Sequence, residues 1–130
     1  MKNPCGSCPY RRDVPSGVWA PEEYDRLPPY DSPNFSKQAM RVFMCHQQDG
    51  TLCSGWVGCH DMEESLGLRV AFLNEVITPE QYEEALDYEC PVPLFRSGAE
   101  AAAHGKAEVE TPGVKARRTI DKLERKRGRR

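Results

Sequence analysis

The spacing of apolar positions changes at Asp61, and this change divides the predicted secondary structure. Before it, residues 41–46 and 52–57 are two short runs dense in apolar and β-favouring residues, separated by a D-G turn signal. They predict a β-hairpin that pairs 41–46 with 52–57. After it, apolar residues recur at helical spacing and predict a helix from Asp61, as N-cap, to about Val76. The side chains expected to face the core from this helix are Leu66, Val70, Leu73 and Val76.

Capping signals predict further helices on both sides of this region. Pro21 is at a favoured first helical position, is followed by two glutamates, and predicts a short helix to about Leu27. Thr78, with Gln81 three residues later, predicts a capping box and a helix that ends before Cys90.

The last third of the chain combines a strong helix signal with a basic tail. Ser97 and Glu100 form a second capping signal before an alanine run, with Gly105 as the predicted stop. Residues 107–130 are a predicted linker and a basic tail that is either a marginal helix or disordered. We therefore expect a small α+β domain over 1–106, with one β-hairpin and three to four short helices, and a flexible basic C-terminal tail.

The composition predicts that this domain has a thin core. Only 38% of residues are apolar, and Gly and Pro together take 21 positions. Because ordering the backbone costs roughly 1–2 kcal/mol per residue, small domains with little apolar area usually need disulfides or a metal. We expect a cytoplasmic protein because the sequence shows no secretory leader and no apolar run of about 18–20 residues. In the reducing cytoplasm, clustered cysteines bind metal or do redox chemistry more often than they form structural disulfides.

The cysteine spacing supplies the material for a metal-stapled domain. Cys5 and Cys8 form a C-x-x-C turn, and Cys45 and Cys53 lie on the two facing runs of the predicted hairpin. A C-x-x-C turn can direct two thiolates at one ion, and a second pair can complete a tetrahedron. The pattern therefore predicts that these four cysteines share one metal. The alternative ligands are His46, Cys59 and His60.

The sequence leaves the identity of the metal open between zinc and iron–sulfur. Zinc suits four thiolates, or three with a histidine, and is the preferred interpretation; a structural site adds on the order of 10–16 kcal/mol of folding energy. A [4Fe–4S] cluster in a redox-responsive regulator also takes four cysteines. A thiol oxidoreductase is a third alternative, disfavoured because only four residues precede Cys5 and no amphipathic helix follows Cys8. Cys90 is interpreted as a small buried side chain.

Four segments carry a resemblance to a known family: CGSCPYRRDVPSGVW, VFMCHQ, LCSGWVGCH and PLFRSGAEAAAHG. Together they resemble an uncharacterised family of small cysteine-containing proteins from actinobacteria and their phages, with the pattern C-x-x-C-P-[WY]-R, C-H and C-x-G-W. The resemblance covers roughly residues 3–105. It implies a shared site and names no activity. The matching positions are Cys5, Cys8, Cys45, His46 and Cys53, with Arg11, Gly55 and Trp56 beside them.

The net charge of −2 hides a strong asymmetry along the chain. Residues 1–114 carry nine Lys and Arg against 18 Asp and Glu, whereas residues 115–130 carry nine against two. A cationic tail can neutralise phosphates, so we expect contact with nucleic acid or an acidic protein surface, and none with a membrane. Because no nucleophile elbow, P-loop or zinc-protease motif appears, we favour a non-enzymatic metal-binding module. The predicted contact residues are Lys115, Arg117, Arg118, Lys122, Arg125, Lys126, Arg127, Arg129 and Arg130.

Overall fold

The structure is a computed structural model, and it describes residues 3–32, 37–45 and 50–128. Within the described chain none of the helices combines the length and apolarity needed to cross a membrane. Two single-turn 3-10 helices are present at Pro28–Tyr30 and Met62–Glu64. The α-helices, in chain order, are α1 Pro21–Asp25, α2 Ser54–Cys59, α3 Leu66–Leu73, α4 Pro79–Asp87, α5 Gly98–Lys106 and α6 Val114–Gly128.

The predicted β-hairpin is wrong, and with it the α+β class. No β-strand occurs in the part of the chain that the structure describes; Met44 and Leu52 form one isolated antiparallel bridge there. From Ser54 the chain enters α2 instead of continuing as a strand. A strand places successive side chains on opposite faces, whereas α2 buries the consecutive residues Gly55 and Trp56 in the core. Burial of neighbouring positions favours the helix over the β propensity of the segment.

The helix predicted from Asp61 is shorter and faces the core with a different side. Asp61 caps only the 3-10 turn, and α3 begins after Ser65, whose hydroxyl accepts the Leu68 N–H. Leu68 and Ala71 are the core side chains. Because α3 ends at Leu73, helical spacing no longer controls the direction of the residues that follow. The exposed members of the predicted face are Leu73 and Val76.

The two capping predictions are confirmed. Thr78 Oγ1 accepts the Gln81 N–H at 3.1 Å, and Gln81 Oε1 accepts the Thr78 N–H at 2.9 Å, which starts α4. Ser97 Oγ accepts the Glu100 N–H at 3.1 Å and starts α5. These bonds join residues three apart in sequence, so the local pattern is enough to specify them.

Gly105 does not stop α5, because it lies inside the helix. Its backbone packs against the ring of Tyr24 in α1, and a Cβ at this position would overlap that ring. The Tyr24 hydroxyl accepts the Trp19 N–H at 3.0 Å, and Gly17 N–H donates to the Gly105 carbonyl at 2.8 Å. The glycine therefore allows α1, α5 and the segment before α1 to pack closely together.

The tail predicted to be flexible forms α6 up to Gly128. Ala116 is only 1% exposed, and Leu123 packs against the core. These two residues are seven apart, which places them on the same side of a helix. The packing of these two side chains anchors the tail to the body of the protein. The domain boundary between residues 106 and 107 stays a prediction.

Candidate metal centre

The C-x-x-C segment is an ordered turn held against the core. Cys8 N–H donates to the Cys5 carbonyl at 3.0 Å, which closes the turn. Trp19 Nε1 donates to the carbonyl of Ser7 at 2.8 Å and fixes the middle of the turn. Cys8 is 1% exposed, whereas Cys5 is half-buried. The segment therefore directs one thiol inward and leaves the other nearer the surface.

Segment 93–95 holds the chain that follows the turn. Phe95 N–H donates to the Tyr10 carbonyl at 3.0 Å, and Arg12 N–H donates to the Pro93 carbonyl at 3.2 Å. These bonds connect the N-terminal segment to residues just before α5. The C-x-x-C turn is thus fixed by contacts distant in sequence, even though no helix or strand contains it.

Cys53 brings a third thiol to this turn. It is the N-cap of α2, and its N–H donates to the Phe43 carbonyl at 2.9 Å beside the isolated bridge. Cys53 Sγ lies 3.7 Å from Cys8 Sγ, although the residues are 45 apart in sequence. Two thiolates of a tetrahedral zinc site, each about 2.3 Å from the ion, stand about 3.8 Å apart, whereas disulfide sulfurs are about 2.05 Å apart. The observed separation fits two ligands of one ion.

The backbone of α2 makes this approach possible. Gly55 packs directly against the Cys8 side chain, and a Cβ there would overlap Cys8 Sγ and lie 2.9 Å from Tyr10 Cβ. A larger residue at position 55 would therefore push α2 and Cys53 away from the C-x-x-C turn.

The thiol pKa values reflect the mutual contact and the burial of the three cysteines. Contact with the Cys8 thiol, together with burial, raises the pKa of Cys5. Contact with Cys5 lowers the pKa of Cys8, but contact with Cys53 and burial outweigh it and raise this pKa overall. A protonated thiol is a poor nucleophile, so the arrangement disfavours an activated dithiol. A coordinated cation deprotonates thiols outright and suits the same geometry.

Aromatic rings form a buried wall beside the thiols. Tyr10 packs edge-to-face on Phe43 with ring centroids 5.8 Å apart, and Tyr30 packs in the same way on Phe43 and Trp56. Such packing excludes water and holds the neighbouring backbone in place. Sequence reasoning missed Tyr10 as part of the site, although an aromatic residue directly after Cys8-Pro9 was its available signal.

The structure brings Cys8 into contact with Cys5 and with Cys53, but it does not assemble the four predicted ligands into a complete metal site. Cys45 N–H donates to the Thr51 carbonyl at 2.8 Å, and the alternation of an extended chain places Cys45 on the same side of the bridge as Cys53. Within residues 3–32, 37–45 and 50–128, no group of three or more Cys, His, Asp or Glu side chains is positioned to hold an ion. His46, the alternative ligand that follows Cys45 in the sequence, lies outside the described residues.

The other alternative ligands have separate surroundings. His60 has both ring nitrogens bonded, with Nε2 2.8 Å from Asp31 Oδ1 and Nδ1 2.9 Å from the Trp56 carbonyl. Cys59 ends α2, and burial raises its pKa to about 12. Cys90 is half-buried beside the backbone of α2. His60 is therefore a structural residue in this arrangement.

The fold and site define a small helical domain in which a C-x-x-C turn meets a third thiol from a remote helix N-terminus. The chain belongs to a family described as "Family of unknown function (DUF6283)", whose model matches residues 1–120. This confirms membership of an uncharacterised family. No curated protein and no solved structure matches the chain.

Proposed function

We propose that this protein is a non-enzymatic, cytoplasmic zinc-binding module in which Cys5, Cys8 and Cys53 bind one ion. The observation that carries the proposal is the 3.7 Å separation between Cys8 Sγ and Cys53 Sγ. Cys45 is the favoured fourth ligand because it shares a side of the bridge with Cys53, and His46 is the alternative.

Zinc at this site would act as a structural staple. The ion would join the N-terminal turn, the isolated bridge and the start of α2, and its charge would offset the repulsion between buried thiolates. Structural zinc contributes on the order of 10–16 kcal/mol of apparent folding energy, enough to compensate for a thin core. No catalytic step follows from a site closed by four protein ligands.

The same distance favours zinc over an iron–sulfur cluster. Each cysteine of a [4Fe–4S] cluster binds a different iron, so its ligand sulfurs stand farther apart than two ligands of one ion. A thiol oxidoreductase is disfavoured because Cys8 is only 1% exposed, and because contact with Cys8 and burial raise the pKa of Cys5, the C-x-x-C thiol nearer the surface. An oxidoreductase needs a thiolate that its substrate can reach.

Metal analysis of the purified chain tests this proposal. We expect about one zinc per chain after both aerobic and anaerobic purification, with no visible chromophore, because thiolate zinc sites are redox-inert. Elemental analysis and absorbance spectra provide the measurement. A brown, iron-containing anaerobic preparation would instead support the cluster, and a folded chain without metal in both preparations would refute both metal sites.

A further inference from the structure

Helix α6 attaches to the body of the protein through a narrow apolar seam. Ala116 is buried, Leu123 packs against the core, and Ile120 between them is half-buried. At 3.6 residues per turn these three positions lie within about 60° of one another around the helix axis. The seam fixes which side of α6 faces the body and therefore which side faces solvent.

The cations of α6 are concentrated on one exposed side of the helix. Five of them fall within an arc of about 100° that does not include the apolar seam. Asp121 and Glu124, the two acidic residues of α6, lie outside this arc. All five cations are exposed, and among the described residues none of them pairs with a carboxylate. We call this set the basic stripe: Lys115, Arg118, Lys122, Arg125 and Lys126.

The basic stripe is long enough to follow several phosphates. Its first and last members are eleven residues apart, which corresponds to about 16 Å along the helix at 1.5 Å per residue. Double-stranded DNA presents one negative charge per about 1.7 Å of its axis. The length of this five-cation array therefore complements the regularly spaced charges of a linear polyanion better than the single charge of one acidic residue.

We propose that the basic stripe of α6 binds the phosphate backbone of double-stranded DNA. Single strands are bound largely by stacking on aromatic rings, and α6 contains no aromatic residue. The major groove of B-form DNA, about 12 Å wide, admits an α-helix, whereas that of duplex RNA is too narrow. Because phosphate contacts carry no sequence information, the binding has little sequence preference.

A membrane surface fits α6 less well than DNA does. Amphipathic helices that bind membranes insert an exposed apolar face into the lipid. In α6 that face is the seam of Ala116 and Leu123, which the body of the protein already covers. The proposal rests on the charge and packing of α6 and is independent of the zinc site.

The test compares two triple variants of the full chain that change the net charge equally. Arg118→Gln/Lys122→Gln/Arg125→Gln neutralises three cations of the stripe, and glutamine preserves helix propensity. Lys37→Gln/Arg96→Gln/Lys106→Gln neutralises three exposed cations outside α6. Fluorescence anisotropy with a labelled DNA duplex of about 20 base pairs, over a range of KCl concentrations, measures affinity and salt dependence.

The stripe variant is expected to bind the duplex at least about tenfold more weakly than the wild type, and the control variant within about threefold. The slope of log K against log salt should become shallower by about 2.7 in the stripe variant, since each lost phosphate contact removes about 0.9. The wild-type slope is itself expected to be near −4.5 for five contacts, so the proposal is testable without either variant.

Four results would overturn the proposal. The first is that both variants weaken DNA binding equally, and the second is that the wild-type affinity for DNA does not depend on salt. The third is that the wild type binds duplex RNA or single strands more tightly than duplex DNA. The fourth is that it binds a polyglutamate peptide or anionic vesicles but not DNA. The zinc content of every variant is measured in parallel. A chain that binds zinc but not DNA separates failure of this inference from failure of the proposed function.

Discussion

Cys8→Ser should leave the protein without bound zinc and largely unfolded at room temperature. Cys8 is the thiol in contact with both Cys5 and Cys53, so its loss removes the centre of the site. Structural zinc contributes on the order of 10–16 kcal/mol, whereas whole domains are stable by only about 5–15 kcal/mol. Circular dichroism and zinc content of the purified variant measure the two effects.

Cys90→Ser is the matched control for this substitution. Cys90 is half-buried outside the thiol cluster, so the variant should keep its zinc and its fold. A Cys8→Ser protein that keeps both zinc and the wild-type melting temperature would exclude Cys8 as a ligand. Equal zinc loss in the two serine variants would show that the effect is not specific to the proposed site.

Gly55→Ala should destabilise the protein and weaken zinc binding while every cysteine stays in place. Within a helix, glycine to alanine ordinarily stabilises by about 1 kcal/mol. At position 55 the added Cβ would overlap Cys8 Sγ and crowd Tyr10, and overpacking of this kind costs about 1–3 kcal/mol. We expect zinc affinity to fall by at least about tenfold, because loss of 1.4 kcal/mol corresponds to that factor.

Gly6→Ala provides the comparison within the C-x-x-C turn itself. A Cβ on Gly6 would have no atom within 4 Å, so this variant should bind zinc like the wild type. Zinc competition with a chromogenic chelator and urea denaturation measure affinity and stability for both variants. A Gly55→Ala protein more stable than the wild type, with unchanged affinity, would contradict the close approach of α2 to Cys8.

The parts of the fold that the sequence predicted are those specified by neighbouring residues. The capping box of Thr78 and Gln81 is made entirely by side chains three residues apart. The strand predicted over 52–57 failed because its local β propensity is overridden by the contact of Gly55 with Cys8. That contact joins segments remote in sequence and has no periodic signature.

The candidate site shows the same division between local and remote information. The residue types and spacing predicted that the C-x-x-C turn would meet Cys53, and the structure brings Cys8 and Cys53 together. His60 was an alternative ligand by its position after Cys59. The structure instead bonds it to Asp31, which also accepts two backbone N–H groups at the start of α5. The partner of His60 could not be identified without the tertiary fold.

X-ray absorption at the zinc edge of the purified protein is the most direct test of the shared thiolate site. We expect three or four sulfur ligands at about 2.3 Å, with a nitrogen at about 2.0 Å if a histidine completes the set. The Cys53→Ser variant should have lost this sulfur shell. A wild-type spectrum that contains only oxygen and nitrogen ligands, or a folded protein with no zinc to measure, would contradict the claim that Cys5, Cys8 and Cys53 bind one ion.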